Sequence, residues 1–369
     1  MSKTAKAAVC RELNRPVTVE EIEVDSPRRN EIMMKVSACG VCHSDLSATN
    51  GTIRMPLPLI LGHEAAGKVV EVGDSVNEIA LGDHVVSSFV SMCGRCRYCT
   101  TGRPHLCEQG ARALAALPDG SLRTRDRSGA PLNVFSACGV MAQYATLHVD
   151  SVVKIRPDMP LVPAALISCG VMTGVGAVFN TARVRPGSSV AVIGAGGVGL
   201  NAIQAAAIAG ADTVIAIDVS ETKLELARKF GATHTLNAAT EENLVKALKK
   251  STDGGPDYCF ECVGSGKMVE QAFRAIRKGG TAVVVGVAKG DDTASIRPAM
   301  ATFEEKTLTG SYFGSARPRE DFPRIMSLYL AGRLKLDELI TRTYRIEEAP
   351  QAFADLEAGR NARGVIVFD

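Results

Sequence analysis

The sequence lacks an excess of charge of either sign: 42 Lys and Arg stand against 40 Asp and Glu, a formal net charge of +2. A balance this close to neutral lacks the concentrated basic face that draws nucleic acid or a membrane surface, so no such partner is expected. Long hydrophobic runs are missing too. No apolar stretch reaches the length of a membrane helix, and the Ala-rich run from Asn201 to Ala211 suits a short buried helix. The opening segment carries no apolar core of a signal peptide, which leads to the expectation of a cytoplasmic protein. Internal repeats, low-complexity tracts and Gly/Ser linkers are also lacking. A short basic cluster, Arg123, Arg125 and Arg127, is assigned to a solvated loop.

What is there is an ordinary globular composition, 46% hydrophobic and 22% charged, in 369 residues, long enough for two domains. Cysteine is plentiful at 11. An odd count in a protein expected to be cytoplasmic argues against a disulfide framework, so spacing is read for metal ligation instead.

Up to about residue 170 the chain offers short β-like runs, such as Ile32–Val36, Ala66–Val72 and His84–Phe89, separated by Gly, Pro and Asp turns. The texture changes near Val171. Strand-like SVAVIG and TVIAID alternate with helix-like segments, followed by DYCFECVG and TAVVVGVA. That alternation predicts an α/β unit, a parallel sheet covered on both faces. After about Gly314 the chain turns to mixed helices and closes on a strand, GVIVFD.

Gly194, Gly196, Gly197, Val198 and Gly199 belong to a GxGxxG turn directly after a strand and opening a helix. The first glycine permits the tight turn, the second lets backbone approach a pyrophosphate, and the third allows close helix–strand packing. The helix N-terminus then offers unpaired N–H groups to the phosphates. Asp218 ends the next strand, where an acid accepts hydrogen bonds from an adenosine ribose. It would repel a 2′-phosphate, and Val219 brings no compensating charge, so NAD is expected over NADP.

Cys93, Cys96, Cys99 and Cys107 form C-x2-C-x2-C-x7-C. Four thiolates in one short loop can close a tetrahedral zinc completely, which marks a structural site; an iron–sulfur cluster is the other occupant they admit. Cys42 in CGVCHSD, His63 in LGHEAAG and Cys169 in SCGVMTG are candidates for a second, open zinc site. Spacing alone does not group them.

The run Gly62-His63-Glu64-x2-Gly67-x5-Gly73-x2-Val76 resembles the signature of zinc-containing alcohol dehydrogenases of the medium-chain dehydrogenase/reductase family. With the four-cysteine run and the glycine turn, the resemblance covers essentially the whole chain. It implies a GroES-like, mostly-β catalytic domain (1–170 and 314–369) with a zinc lobe at 93–107, and a Rossmann NAD-binding domain (171–313). It implies Cys42, His63 and Cys169 as catalytic zinc ligands, with Asp45 orienting the histidine and Glu64 near the metal. Ser44 matches the hydroxyl that takes the alcohol proton. Thr173 falls at the nicotinamide end, Lys223 near the adenosine ribose, and His43 and Arg363 near the pyrophosphate. Phe89, Phe135, Val287 and Tyr312 match pocket-lining positions, whose apolar walls suit hydrophobic or aromatic primary alcohols and their aldehydes.

The implied activity is hydride transfer between alcohol and NAD, with two zinc ions per chain. The match frays at two points. Ser47 stands where many relatives carry the histidine that ends the proton path, so a different exit is expected. His43 loses charge near neutral pH where an arginine would not, so weaker coenzyme retention at alkaline pH is expected. Arg112 is the nearest candidate for an anionic substrate group. The long stretch from Cys107 to Gln143 resembles the dimeric branch, so a homodimer is expected. The rival readings are a dehydrogenase with tightly held NAD and an external acceptor, one acting on secondary alcohols or polyols, and a non-catalytic zinc-stapled NAD-binding protein.

Overall fold

The computed structural model describes residues 2–369. They divide into two compact units, one of residues up to Cys169 with Arg317–Ala331 and Leu336–Asp369, the other of Gly170–Ala316 with Gly332–Lys335.

The first unit is mostly β. Its strands are β1 Ser2–Cys10, β2 Thr18–Asp25, β3 Glu31–Val41, β4 Leu59–Ile60, β5 Ala65–Val72, β6 His84–Ser87, β7 Thr124–Asp126, β8 Asn133–Val134, β9 Tyr144–His148 and β10 Val152–Lys154. The second unit adds β11 Ser189–Ile193, β12 Thr213–Asp218, β13 His234–Asn237, β14 Tyr258–Glu261, β15 Thr281–Val284 and β16 Thr307–Gly310, and the chain returns to the first with β17 Ile340–Tyr344 and β18 Arg363–Val367. Two sheets build the first unit, ordered β7-β2-β1-β4-β8 and β10-β6-β5-β3-β18-β17, with β9 also paired to β3. Because β3 lies inside the larger sheet, its sequence EIMMKVSACGV is buried almost throughout instead of alternating. Ile32, Met34 and Val36 pack with Leu61, Leu147, Phe353 and Ile366 in the main core of this unit.

The basic cluster is split: Arg125 and Arg127 are exposed as their sequence suggested, and Arg123 is not. Arg123 is 4% exposed and holds Glu31 bidentately, Nη2 to Oε1 at 2.7 Å and Nε to Oε2 at 2.9 Å. Arg125 lies on β7 and pairs with Asp25, and Arg127 pairs with Glu21. The partners are far off in sequence, so the run read as isolated charge. Near the C-terminus, Asp355 is buried and accepts from Tyr344 Oη at 2.6 Å, Gln351 Nε2 at 2.8 Å, Arg360 Nε at 2.8 Å and Arg342 Nη1 at 2.9 Å. These donors, Tyr344 first, hold its carboxyl down at about 2.

The second unit carries a parallel sheet ordered β13-β12-β11-β14-β15-β16, the doubly wound order of dinucleotide-binding sheets. Its central strands read as apolar runs, SVAVI and TVIAID, because helices cover both faces. The helix Gly197–Ile208 is buried over most of its length, matching its apolar sequence. Among the described residues no single helix is long and apolar enough to cross a membrane.

Candidate active site

β3 ends at Val41, and Cys42 follows in extended backbone as the N-cap of the helix His43–Thr49. His63 and Glu64 lie between β4 and β5, and Cys169 follows the short turn of helix Leu166–Ser168. These three distant segments converge. One ligand atom from each of Cys42, His63, Glu64 and Cys169 lies within 4.8 Å of every other, and all four residues are buried.

The histidine is held on three sides. Asp45 Oδ1 accepts from the Gly62 amide at 2.8 Å and stands 3.3 Å from His63 Nδ1. Phe89 and Phe135 meet the imidazole edge-on, with centroids 5.6 and 5.3 Å away. This leaves Nε2, buried and without a protein hydrogen-bond partner, turned to the thiols. A carboxylate on the far ring nitrogen fixes tautomer and orientation for ligation. Ser44 Oγ is 3.8 Å from Cys42 Sγ, at the second residue of the same helix.

Glu64 pairs with Arg363 of β18, and both are buried. Burial pushes the Glu64 carboxyl up to about 8, while the Arg363 guanidinium pulls it down. A side chain at Gly40 would collide with this pair, since a Cβ there would lie 2.4 Å from Glu64 Oε2. Cys42 is drawn well below the ordinary thiol range by its hydrogen bond with Cys169, whose own thiol is pushed up by the same bond. Two thiols, an imidazole and a carboxylate around one point make a donor set that fits zinc, where uncompensated burial of so many polar atoms would be costly.

The four-cysteine loop has a different character. Cys93, Cys96 and Cys99 are half-exposed and Cys107 is buried, and their sulfurs also lie within 4.8 Å of one another. The Cys96 and Cys93 amides point at Cys93 and Cys107 Sγ, each at 3.4 Å. Backbone amides of Cys99 and Glu108 lower the Cys96 thiol to about 6. None of the eleven cysteines is in a disulfide. Four sulfurs fit a closed zinc.

In the second unit the glycine turn joins β11 to the helix Gly197–Ile208. Gly194 has φ +93°, and a Cβ there would meet Val263 Cγ2 at 2.8 Å. Gly196 faces open space, and a Cβ on Gly199 would strike the Gly194 carbonyl oxygen at 1.7 Å. Gly197 and Val198 open the helix, whose N-cap Gly196 supplies no side-chain cap. Asp218 Oδ2 accepts from the Ala195 amide at 2.8 Å and Oδ1 from the Ser220 amide at 3.0 Å. Lys223 lies on the helix Glu221–Lys229, and Thr173 on the helix Gly170–Gly176. His43 is exposed at the start of its helix. Val287 and Tyr312 are 73% and 52% exposed.

Residues 28–158 match the alcohol dehydrogenase GroES-like domain, and residues 197–331 match the zinc-binding dehydrogenase domain. An NDMA-dependent alcohol dehydrogenase of Amycolatopsis methanolica is 41% identical over 366 residues, covering 98% of both chains. Two solved structures cover all of this chain and of their own. A zinc-binding-domain alcohol dehydrogenase of Burkholderia ambifaria has a TM-score of 0.96 at 35% identity, and benzyl alcohol dehydrogenase of Acinetobacter calcoaceticus has 0.94 at 34%. The chain belongs to the zinc-containing alcohol dehydrogenases of the medium-chain dehydrogenase/reductase family.

An alcohol dehydrogenase of this family is an oxidoreductase acting on CH–OH groups of small alcohols and aldehydes, with zinc and a nicotinamide dinucleotide as cofactors. Its GroES-like and nucleotide units account for the α/β fold expected from the sequence. Two features of the alcohol dehydrogenase escaped the sequence. The Glu64–Arg363 pair joins residues 299 apart, with no local signal. Glu261, buried at the end of β14, was visible only as one of two acids in the strand-like DYCFECVG.

Proposed function

We propose that this zinc-dependent alcohol dehydrogenase oxidises hydrophobic or aromatic primary alcohols to aldehydes, reversibly, with NAD. The buried Cys42, His63 and Cys169 cluster, with Ser44 Oγ 3.8 Å from Cys42 Sγ, carries the reading. Cys42, His63 and Cys169 would hold the catalytic zinc, and Cys93, Cys96, Cys99 and Cys107 the structural one. Bound there, zinc supplies Lewis-acid polarisation of the substrate oxygen. Ser44 takes the hydroxyl proton, and Asp45 keeps the His63 ring in register. Glu64, paired with Arg363, keeps a carboxyl group beside the ligands. Phe89 and Phe135 wall the reacting end with apolar surface.

Asp218 favours NAD over NADP, because its carboxylate, fixed by the Ala195 and Ser220 amides, repels a 2′-phosphate. The remaining nucleotide contacts proposed are Gly194, Gly196, Gly197, Val198 and Gly199 for the pyrophosphate and Thr173, Lys223, His43 and Arg363 around it. Val287 and Tyr312 are the further pocket positions proposed from the resemblance. A homodimer through the nucleotide units is supported by the edge strand β16, with Leu308 39% exposed, and by Phe303, 83% exposed just before it. Eleven unbridged cysteines support a cytoplasmic location.

Purified protein offered NAD and a panel of primary, secondary, aromatic and polyol alcohols tests the reading. NADH formation is expected with hydrophobic and aromatic primary alcohols; turnover confined to polyols or secondary alcohols would overturn the substrate class. A second reading, in which NAD stays bound and an external acceptor reoxidises it, is favoured by the relative named NDMA-dependent. Coenzyme that survives desalting with the protein would decide for it.

A further inference from the structure

β14 ends in a buried acid. Glu261 pairs with Ile193 of β11 on one side and Val284 of β15 on the other, the last paired residue of both ladders. It is 0% exposed, where an uncompensated carboxylate is costly. Oε2 is buried without a hydrogen-bond partner, and the other carboxylate oxygen carries the side-chain bonds. Oε1 accepts from the Val263 and Gly264 amides, each at 2.8 Å. Its main-chain oxygen accepts from the Val285 and Gly286 amides at 2.8 and 2.9 Å. One residue therefore fastens the turn after β14 with its side chain and the turn after β15 with its backbone.

The two turns leave no slack. Gly264 has φ +84°, and a Cβ there would lie 2.5 Å from the Val287 carbonyl oxygen. A Cβ on Gly286 would lie 2.1 Å from the Gly264 amide. Cys262 donates its amide to the Ile193 carbonyl at 2.8 Å, and Val263 touches the space above Gly194. The turns thus abut the first glycine of the nucleotide motif, at the carboxyl edge of the sheet where the strand order reverses. They also present apolar surface to solvent: Val263 is 56% exposed and Val287 73%. Isolated exposed valines mean little, but two at one end of this sheet, on turns fixed so tightly, suit a ligand face.

We propose that Glu261 is a positioning residue for the nicotinamide dinucleotide: its buried carboxylate sets the 262–264 turn so that Val263 and Val287 form one wall of the coenzyme crevice. The assignment rests on the nucleotide site proposed above. Glu261 touches no coenzyme atom and acts through amides alone. Burial raises its carboxyl pKa. A neutral acceptor of the same shape therefore serves as well as a charge.

The test compares Glu261→Ala with Glu261→Gln, reading NADH affinity from nicotinamide fluorescence and amide exchange at residues 263 and 264. Glu261→Ala is expected to raise the NADH dissociation constant roughly tenfold, equivalent to about 1.4 kcal/mol. It also loses exchange protection at both amides, with zinc content unchanged. Glu261→Gln keeps the acceptor oxygen and restores affinity and protection. Should Glu261→Ala not fold, Glu261→Asp, one methylene short of the Gly264 amide, takes its place with the same expected loss. Unchanged NADH affinity in a folded Ala or Asp variant overturns the proposal. So does a Gln variant as weak as Ala, which would make the charge and not the turn decisive. Failure of the unaltered protein to bind NADH would instead overturn the nucleotide site itself, and this inference with it.

Discussion

The two cysteine clusters of this chain are made of nearly the same atoms and built on opposite plans. The lobe cluster draws four sulfurs from one loop of 15 residues, Cys93 to Cys107, and leaves three of them half-exposed. The other draws donors from residues 42, 63, 64 and 169, all buried, and ringed by Asp45, Arg363, Phe89 and Phe135. The lobe takes all four sulfurs from its own turn, and backbone amides point at two of them. The buried cluster needs three segments of the fold to be correct at once, and it keeps a carboxylate and a hydroxyl at hand. Closed and local suits holding; assembled and mixed suits reacting.

His63→Ala breaks the comparison most severely. Turnover is expected to fall by a factor on the order of 10³ or more, as Lewis-acid assistance worth several kcal/mol is lost. Metal analysis should show one zinc per chain in place of two while circular dichroism is kept. Two zincs retained would mean that the buried cluster is not the catalytic site. Cys96→Ser acts at the other centre. It is expected to remove the other zinc and about 4 kcal/mol or more of stability in denaturant titration. The protein that remains folded should keep its per-site turnover. If turnover falls and stability does not, the division of labour is reversed.

Asp45→Asn sharpens the difference between ligand and orienter. The amide keeps the shape but not the charge facing His63 Nδ1, and zinc affinity should weaken by roughly 10–100-fold in chelator competition. An unchanged affinity would make the two clusters more alike than their surroundings suggest. The smallest effect concerns the strands that carry Arg363. Asp355 has a folded pKa of about 2, below its ordinary 3.8. Its contribution is therefore complete above about pH 4 and is lost as pH falls toward 2. Thermal unfolding followed from pH 5 to pH 2 should show native protein losing a stabilisation that Asp355→Asn never had. Parallel curves would remove Asp355 from the account.

The same contrast explains what was legible beforehand. The lobe could be read directly because its ligands are neighbours in sequence, and the glycine turn because strand, turn and helix are consecutive. The sheet followed from apolar runs that only parallel, doubly covered strands require. The buried cluster came from family resemblance, since nothing local links Cys42 to Cys169. Arg123 was misread for the same reason. Its bidentate partner Glu31 lies 92 residues away, so nothing local marks Arg123 as the buried member of the run. Glu261 was missed because an acid ending a strand looks like any turn residue until its carboxylate is seen to be buried.

β18, the last strand of the chain, lies between β3 and β17 and brings Arg363 to Glu64. During synthesis, domains form from the N-terminus onward. The nucleotide sheet therefore has all six strands while the ligand-bearing unit still lacks the one beside Cys42. Until the final residues emerge, Glu64 is an unpaired acid beside half-formed ligands. Losing β18 alone would remove the guanidinium that pairs with Glu64.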